Sequence, residues 1–481
     1  MYANHLRALT HLQPGLGIGT MAAQPPVRRP TNLPTAMDTP AITNEDLKVP
    51  SLGPCLLRSP GLVGDLVEES GGWTEDDERI LLDDREEMVR KALRADRGAL
   101  PAIELAGPRR DIFFDPAETC CGIVTCGGLC PGLNDVIRAI VMQAWFGYGV
   151  RRVLGLRYGY EGLNPEFGHE PIVLTPDKVS QIHHLGGTVL GTSRGKQDIG
   201  VMADHLDALG ITMLFVVGGD GSQRGANALY QEMQRRGKKV AVVGVPKTID
   251  NDLPFMDRSF GYETAFTAAF HAVHSAHSEA RGARNGIGLV KLMGRDSGFI
   301  ACSTALATGE ANFVLIPEVS FRLEGTNGLF ALLENRLATR DHAVIVVAEG
   351  AGQDLVGGTD LGTDASGNKK FADIGLFLKD AIARHFQASG TEANVKYIDP
   401  SYIIRAVPAS PEDRIFCQTL GRHAMHAAMA GKTGLVVARW HQRFVHLPMG
   451  LVTRGRRKVD PQGDLWRSVL EATGQPVRIG T

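Results

Sequence analysis

Ile211-Thr212-Met213-Leu214-Phe215-Val216-Val217 runs straight into Gly218-Gly219-Asp220-Gly221-Ser222, and Val240-Ala241-Val242-Val243-Gly244-Val245 runs into Pro246-Lys247-Thr248-Ile249-Asp250-Asn251-Asp252. Uninterrupted apolar runs bounded by turn residues read as strands buried on both faces. Open α/β proteins bind ligands beyond the carboxyl ends of such strands, so Asp220, Asp250 and Asp252 fall in one crevice. Gly-Gly-Asp-Gly alone is also an ordinary turn sequence. The second run, one strand later, makes it a ligand loop. Backbone free of side chains beside an acid suits a polyphosphate with Mg²⁺, and a second carboxylate suits removal of a proton from a hydroxyl. The pair reads as phosphoryl transfer.

The same alternation extends along the chain. A strand over 122–126 leads into Gly127-Gly128-Leu129-Cys130-Pro131-Gly132 and a helical stretch through Trp145. Further apolar strands cover 288–292, 343–348 and 435–438. Strands alternating with helices predict right-handed parallel crossover units. The expected architecture is α/β, with two Rossmann-like lobes, parallel sheets and an active-site cleft between the lobes.

Four segments are expected: an extension over 1–40, an N-terminal extension over 41–117 with a charged helix from Thr74 to Ala95, a catalytic domain over 118–450 in two lobes, and a C-terminal tail over 451–481. Residues 1–37 contain no Asp or Glu and are broken by prolines, so they read as a disordered extension or an organelle transit peptide. Cytoplasmic and plastid or other organellar locations both stay open. The Gly- and Asp-rich stretch over 357–370 reads as an exposed loop.

With 481 residues and 43% hydrophobic composition, the chain can bury a large core. The balance of 51 basic against 53 acidic side chains makes no electrostatic case for nucleic acid or an anionic membrane. No apolar run approaches the roughly 20 residues that span a bilayer. The seven cysteines show no metal-ligand spacing, which points to a reducing compartment. Cys126 and Cys130 flank a phosphate loop and are either redox-sensitive or, the favoured reading, buried and inert.

The chemistry can be apportioned by residue type. Gly127, Gly128 and Gly132 open a helix whose N–H groups can face phosphate oxygens. Asp220 is the first candidate for Mg²⁺, which prefers one or two carboxylates plus phosphates and water. Gly221 keeps a side chain out of the donor's path. Asp250 is assigned as base and Asp252 as its partner toward the metal. Arg295, in Met293-Gly294-Arg295, and Arg194, beside Gly195, can each hold a phosphate. Glu349 suits hydrogen bonds from sugar hydroxyls. Tyr402 and Arg405, with Lys396, suit the far wall for a sugar phosphate.

These strings resemble the phosphofructokinase family and occur in its order. They include Gly261-Tyr262-Glu263-Thr264-Ala265, the run from Lys291 to Gly298, Val347-Ala348-Glu349-Gly350 and the run from Lys396 to Arg405. Several are similar to the plant, algal and trypanosomatid subgroup. The resemblance implies an allosteric ATP-dependent 6-phosphofructokinase of glycolysis that phosphorylates O1 of fructose 6-phosphate, acting as a homo-oligomer (dimer or tetramer). It implies that Asp250 accepts the hydroxyl proton, assisted by Lys247, Thr248 and Arg295, and that Asp220 binds Mg²⁺. It further implies that Gly128, Arg194, Gly195, Gly218, Gly219, Asp220, Gly221 and Ser222 contact ATP. Thr248, Asp250, Met293, Gly294, Arg295, Glu349, Tyr402 and Arg405 would contact the sugar phosphate. Lys247 replaces the glycine usual in short bacterial enzymes, and the arginine those lend across subunits has no counterpart near Asn285-Gly286. The bacterial effector set is therefore not part of what the resemblance implies. Alternatives are a pyrophosphate-dependent member, argued for by Lys247 and against by Gly221, an NAD or lipid kinase, and an inactive regulatory subunit.

Overall fold

The computed structural model describes residues 42–70, 72–94, 100–357, 362–363 and 370–480. The readings for 1–40 and for most of 357–370 lie outside the described residues.

Nine strands form the larger sheet, in the spatial order Arg79–Leu81, Ala102–Leu105, Arg443–Pro448, Leu435–Trp440, Ala241–Pro246, Met213–Gly218, Cys120–Thr125, Arg152–Leu156 and Ile172–Val173. The five from Leu435–Trp440 to Arg152–Leu156 are parallel. The outer strands pair antiparallel, so the sheet is mixed at its edges rather than wholly parallel. The smaller sheet is parallel throughout, ordered Phe313–Leu315, His342–Ala348, Gly286–Leu292, Asn394–Ile398.

Strands Met213–Gly218 and Ala241–Pro246 are buried at every position, which explains their unbroken apolar sequence. Period-two alternation divides them between two cores. Met213, Phe215 and Val217 face one, and Leu214 and Val216 face the other. The first core also takes Val290 and Leu292 from the smaller sheet and Ala265, Ala269 and Val273 from the helix Tyr262–Gly282. The lobes therefore share packed interior as well as a cleft.

Two expected segments differ. Charge patterning suggests one helix from Thr74 to Ala95, but a short strand, Arg79–Leu81, precedes the helix Glu86–Arg94. Ile80 pairs with Ile103, and that tertiary pairing overrides the local helical pattern. The expected C-terminal tail is folded. It contains the helix Asp464–Thr473, whose Trp466 is buried, and Gln475, whose side-chain amide exchanges hydrogen bonds of 2.6 and 3.2 Å with the backbone of Val314. Gln475 thus satisfies backbone groups at the edge strand of the smaller sheet.

Candidate active site

The donor side starts where strand Met213–Gly218 gives way to the helix Asp220–Arg235, with Gly219 as its N-cap. Asp220 therefore stands at the positive end of a helix dipole. A Cβ at Gly218 would lie 2.3 Å from the Ser222 Cβ, so only glycine permits this turn. Gln223, fully buried, donates its side-chain amide to the carbonyls of Gly218 (2.9 Å) and Val245 (3.3 Å). One side chain thus fixes the spacing of the two signature loops.

The loop after Ala241–Pro246 carries the acids. The Thr248 hydroxyl donates to Asp252 Oδ1 at 2.9 Å and accepts the Asp250 N–H at 3.2 Å, which orders both acids around one oxygen. Burial, then the neighbouring carboxylates of Asp252 and Glu349, hold Asp250 well above the usual carboxylate range, while Arg405 and Arg295 oppose the shift. Burial also raises Asp252, against the pull of Arg456. Lys247 is buried with its Nζ donating to the Gly128 carbonyl at 2.8 Å, and desolvation lowers its pKa.

The second lobe supplies cations. Arg295 follows strand Gly286–Leu292 with φ +44, and its N–H donates to Glu349 Oε1 at 3.1 Å. A Cβ at Gly350 would lie 1.8 Å from the Arg295 carbonyl, so the Glu349-Gly350 turn presses directly on the arginine's backbone. Arg405 Nε lies 2.9 Å from Met293 Sδ.

A cleft of about 760 Å³ is lined by Gly128, Arg194, Gly195, Gly219, Asp220, Gly221, Ser222, Lys247, Thr248, Asp250, Asp252, Arg295 and Arg405, all expected from sequence. Gly218, Met293, Gly294 and Glu349 are not among its lining residues. Met293 and Glu349 instead contact the arginines that are. Lys396 and Tyr402 are not brought to the cleft. Lys396 is exposed on the edge strand Asn394–Ile398. Tyr402 is 86% exposed on the helix Ser401–Ala406, whose buried residue is Ile404, and two residues' separation sets them on different faces.

Sequence reasoning missed several contributors. Tyr160 donates to the Ser222 carbonyl at 2.6 Å. Arg456 reaches the acids from the supposed tail, lying 3.8 Å from Asp220 Oδ2, 3.8 Å from Asp252 Oδ2 and 2.8 Å from Asp296 Oδ2. A basic pair beside Gly455, beyond the last strand, was the available signal. Cys126 and Cys130 are buried, and burial pushes both thiols up, Cys126 to about 12, away from the reactive thiolate form.

Among the described residues no cluster of three or more His, Cys, Asp and Glu could hold a metal. Asp220 and Asp252 instead share one guanidinium, and a pair of acids beside a polyphosphate loop fits an ion that takes one or two carboxylates.

A glycine loop at a helix N-terminus, a buried acid with a raised pKa and arginines from a second lobe define a phosphotransferase cleft. The chain belongs to the phosphofructokinase family, whose profile matches residues 120–428. It is 48% identical over 443 residues to an ATP-dependent 6-phosphofructokinase of Amycolatopsis methanolica, covering 91% of this chain and 96% of the relative. The Trypanosoma cruzi protein of the same name is 47% identical, covering 90% and 88% of the two chains. The chloroplastic ATP-dependent 6-phosphofructokinase 5 of Arabidopsis thaliana is 46% identical, covering 78% and 69%. The similarity to plant and trypanosomatid members thus extends equally to a bacterial one. Among solved structures, a pyrophosphate-dependent phosphofructokinase from Marinobacter aquaeolei matches with a TM-score of 0.61 at 22% identity, covering 76% of this chain and 92% of that one, which shows the common fold.

Proposed function

We infer that the protein is an ATP-dependent 6-phosphofructokinase, transferring the γ-phosphoryl group of ATP to O1 of fructose 6-phosphate. The observation that carries this reading is the meeting, in one cleft, of a donor loop on the larger sheet with Asp250, Arg295 and Arg405. Gly219, Gly221 and the N–H groups at the start of the helix Asp220–Arg235 receive the phosphates. Asp250 accepts the sugar hydroxyl's proton, and its raised pKa brings the base nearer neutrality, where proton transfer is efficient. Lys247 and Arg295 balance charge on the moving phosphoryl group, while Arg405 and Thr248 orient the sugar phosphate. Asp220, with Asp252 assisting, would hold Mg²⁺, which would supply charge neutralisation at the donor phosphates.

Gly221 favours ATP over pyrophosphate, because an acidic side chain there would repel the nucleotide's α-phosphate. A coupled assay with Mg²⁺ and fructose 6-phosphate, comparing the two donors, tests this. Preference for pyrophosphate overturns the donor assignment, and no turnover with either overturns the activity. A homo-oligomer, dimer or tetramer, is the assembly this reading carries, and sedimentation measures it. No described helix is long and apolar enough to cross a membrane. Location in the cytoplasm or in an organelle turns on residues 1–40, and a reporter fused to them decides between the two.

A further inference from the structure

Arg456 lies outside the 120–428 span of the family profile, in a segment whose backbone is fastened to both lobes. On the larger-sheet side the Arg457 N–H donates to the Asp252 carbonyl at 2.7 Å, and Arg457 Nη1 donates to the carbonyls of Met256 and Asp257, each at 2.8 Å. On the other side the Val459 N–H donates to Glu318 Oε1 at 2.8 Å, the oxygen that also accepts the Gly298 N–H at 3.0 Å. Glu318 follows the smaller-sheet strand Phe313–Leu315. Residues 456–459 thus form a strap across the cleft, and Arg456 is its one cleft-lining residue.

The guanidinium reaches three carboxylates, those of Asp220, Asp252 and Asp296, from two loops and one helix start. Left unbalanced, these acids would repel a polyanion arriving at the neighbouring Gly219–Ser222 turn. Arginine is suited to answer this, because its planar fork can serve carboxylate and phosphate oxygens at once and stays charged at any working pH. The contacts to Asp220 and Asp252, at 3.8 Å, are also longer than hydrogen bonds, so either can be exchanged for a phosphate oxygen without breaking one.

We propose that Arg456 is a donor-binding residue, delivered by an interlobe strap, which balances the acidic corner of the cleft and holds the terminal phosphates of the ATP polyphosphate. The inference rests on the reading of this cleft as an ATP site. Because the strap is bonded to both lobes, the guanidinium is anchored from both walls of the cleft.

The test uses the full chain with Arg456→Gln and Arg456→Lys. Arg456→Gln raises KM for ATP at least tenfold, with KM for fructose 6-phosphate within threefold of wild type. Arg456→Lys, which keeps the charge and loses the fork, falls between. A fluorescent ATP analogue titrated in EDTA reads the same contact without metal or turnover, and there Arg456→Gln weakens binding at least tenfold. Unchanged ATP affinity in both measurements overturns the inference, as does an equal loss for both substrates. If Arg456→Gln does not fold, Arg456→Lys decides: wild-type ATP affinity in EDTA and a wild-type KM overturn the proposal, and a selective loss for ATP supports it. Failure of the wild type to bind the analogue overturns the ATP-site reading itself and this inference with it, whereas wild-type binding that the variants leave untouched overturns only the role of Arg456.

Discussion

Ser297 Oγ donates to the main-chain carbonyl of Asp250 at 2.9 Å. Ser297 follows a smaller-sheet strand and Asp250 follows a larger-sheet strand, so the acid's loop is held from the opposite lobe. The same oxygen lies 3.0 Å from the Gly294 carbonyl, and the residue is 1% exposed, so water does not replace it. Ser297→Ala leaves buried acceptors unsatisfied at a cost of about 1–3 kcal/mol. Denaturant unfolding should show that loss, and kcat should fall several-fold as Asp250 drifts. Wild-type kcat and stability together would dismiss the link between lobes.

Asp250→Asn should lower kcat by about 10²-fold or more with KM for fructose 6-phosphate within several-fold, since general-base contributions run to that size. In the wild type the base must be ionised, so kcat/KM should fall on acidification at a pH well above the usual aspartate value of about 3.9. An acid limb in the ordinary carboxylate range would contradict the assignment.

The same shift has a stability consequence. An acid whose folded pKa is raised makes the folded state bind more protons than the unfolded chain. Stability from this group is therefore greatest below the unfolded pKa of about 3.9 and declines as pH climbs to the folded pKa. Asp250→Asn removes the penalty. Its Tm should exceed that of wild type at pH 8, and the gain should shrink toward pH 4. Calorimetry at both pH values checks this, and a lower Tm at pH 8 would contradict it.

Which features could be read from sequence follows from where the information lies. Phe215 and Val243 announce buried strands because neighbours on both sides are apolar too, and Asp250 and Asp252 announce a site because they share one loop with Thr248. Tyr402 shares a helix face with Arg405, three residues on, yet its side chain stays 86% exposed outside the cleft lining, a difference that no local pattern announces. Gln223 and Arg456 are harder to read, for another reason. Gln223 acts on backbone carbonyls of two neighbouring strands, which no side-chain pattern announces, and Arg456 acts on acids far away in the chain, while Thr453-Arg454-Gly455-Arg456-Arg457-Lys458 reads locally as a solvated basic loop.

The thiols beside the phosphate loop should prove unreactive. Of the seven cysteines only Cys55 is not buried. Alkylation of the native protein at pH 8, followed by peptide mass spectrometry, should label at most Cys55 and leave turnover intact. Label at Cys126 or Cys130 would reopen a redox role.

Residues after 450 should be indispensable to stability. Trp466 is 1% exposed and belongs to the core shared by the two lobes. Trp466→Ala should cost about 3–5 kcal/mol, the usual penalty for emptying a large aromatic site. Denaturant unfolding within 1 kcal/mol of wild type would return this segment to the status of a tail.

Donor choice offers the most direct test, because the structure separates a steric effect on folding from one on ATP. Gly221 lines the cleft one residue into the helix that Asp220 begins. A Cβ there would meet only Arg224 Nη2, at 3.8 Å, so a side chain can be added without displacing the protein's own atoms. Gly221→Asp should therefore fold and melt near wild type, while its carboxylate occupies space at the donor phosphates and repels their charge. Arg224 is near enough to draw some of that charge away, though it already pairs with Asp220. The expected result is a fall in kcat/KM for ATP of at least about 10²-fold, with fructose 6-phosphate affinity retained. Because Lys247 is already in place beside Gly128, some pyrophosphate-dependent turnover should emerge in the variant. ATP kinetics unchanged by Gly221→Asp, in a protein of normal Tm, would show that position 221 does not face the nucleotide and would remove the ground for preferring ATP.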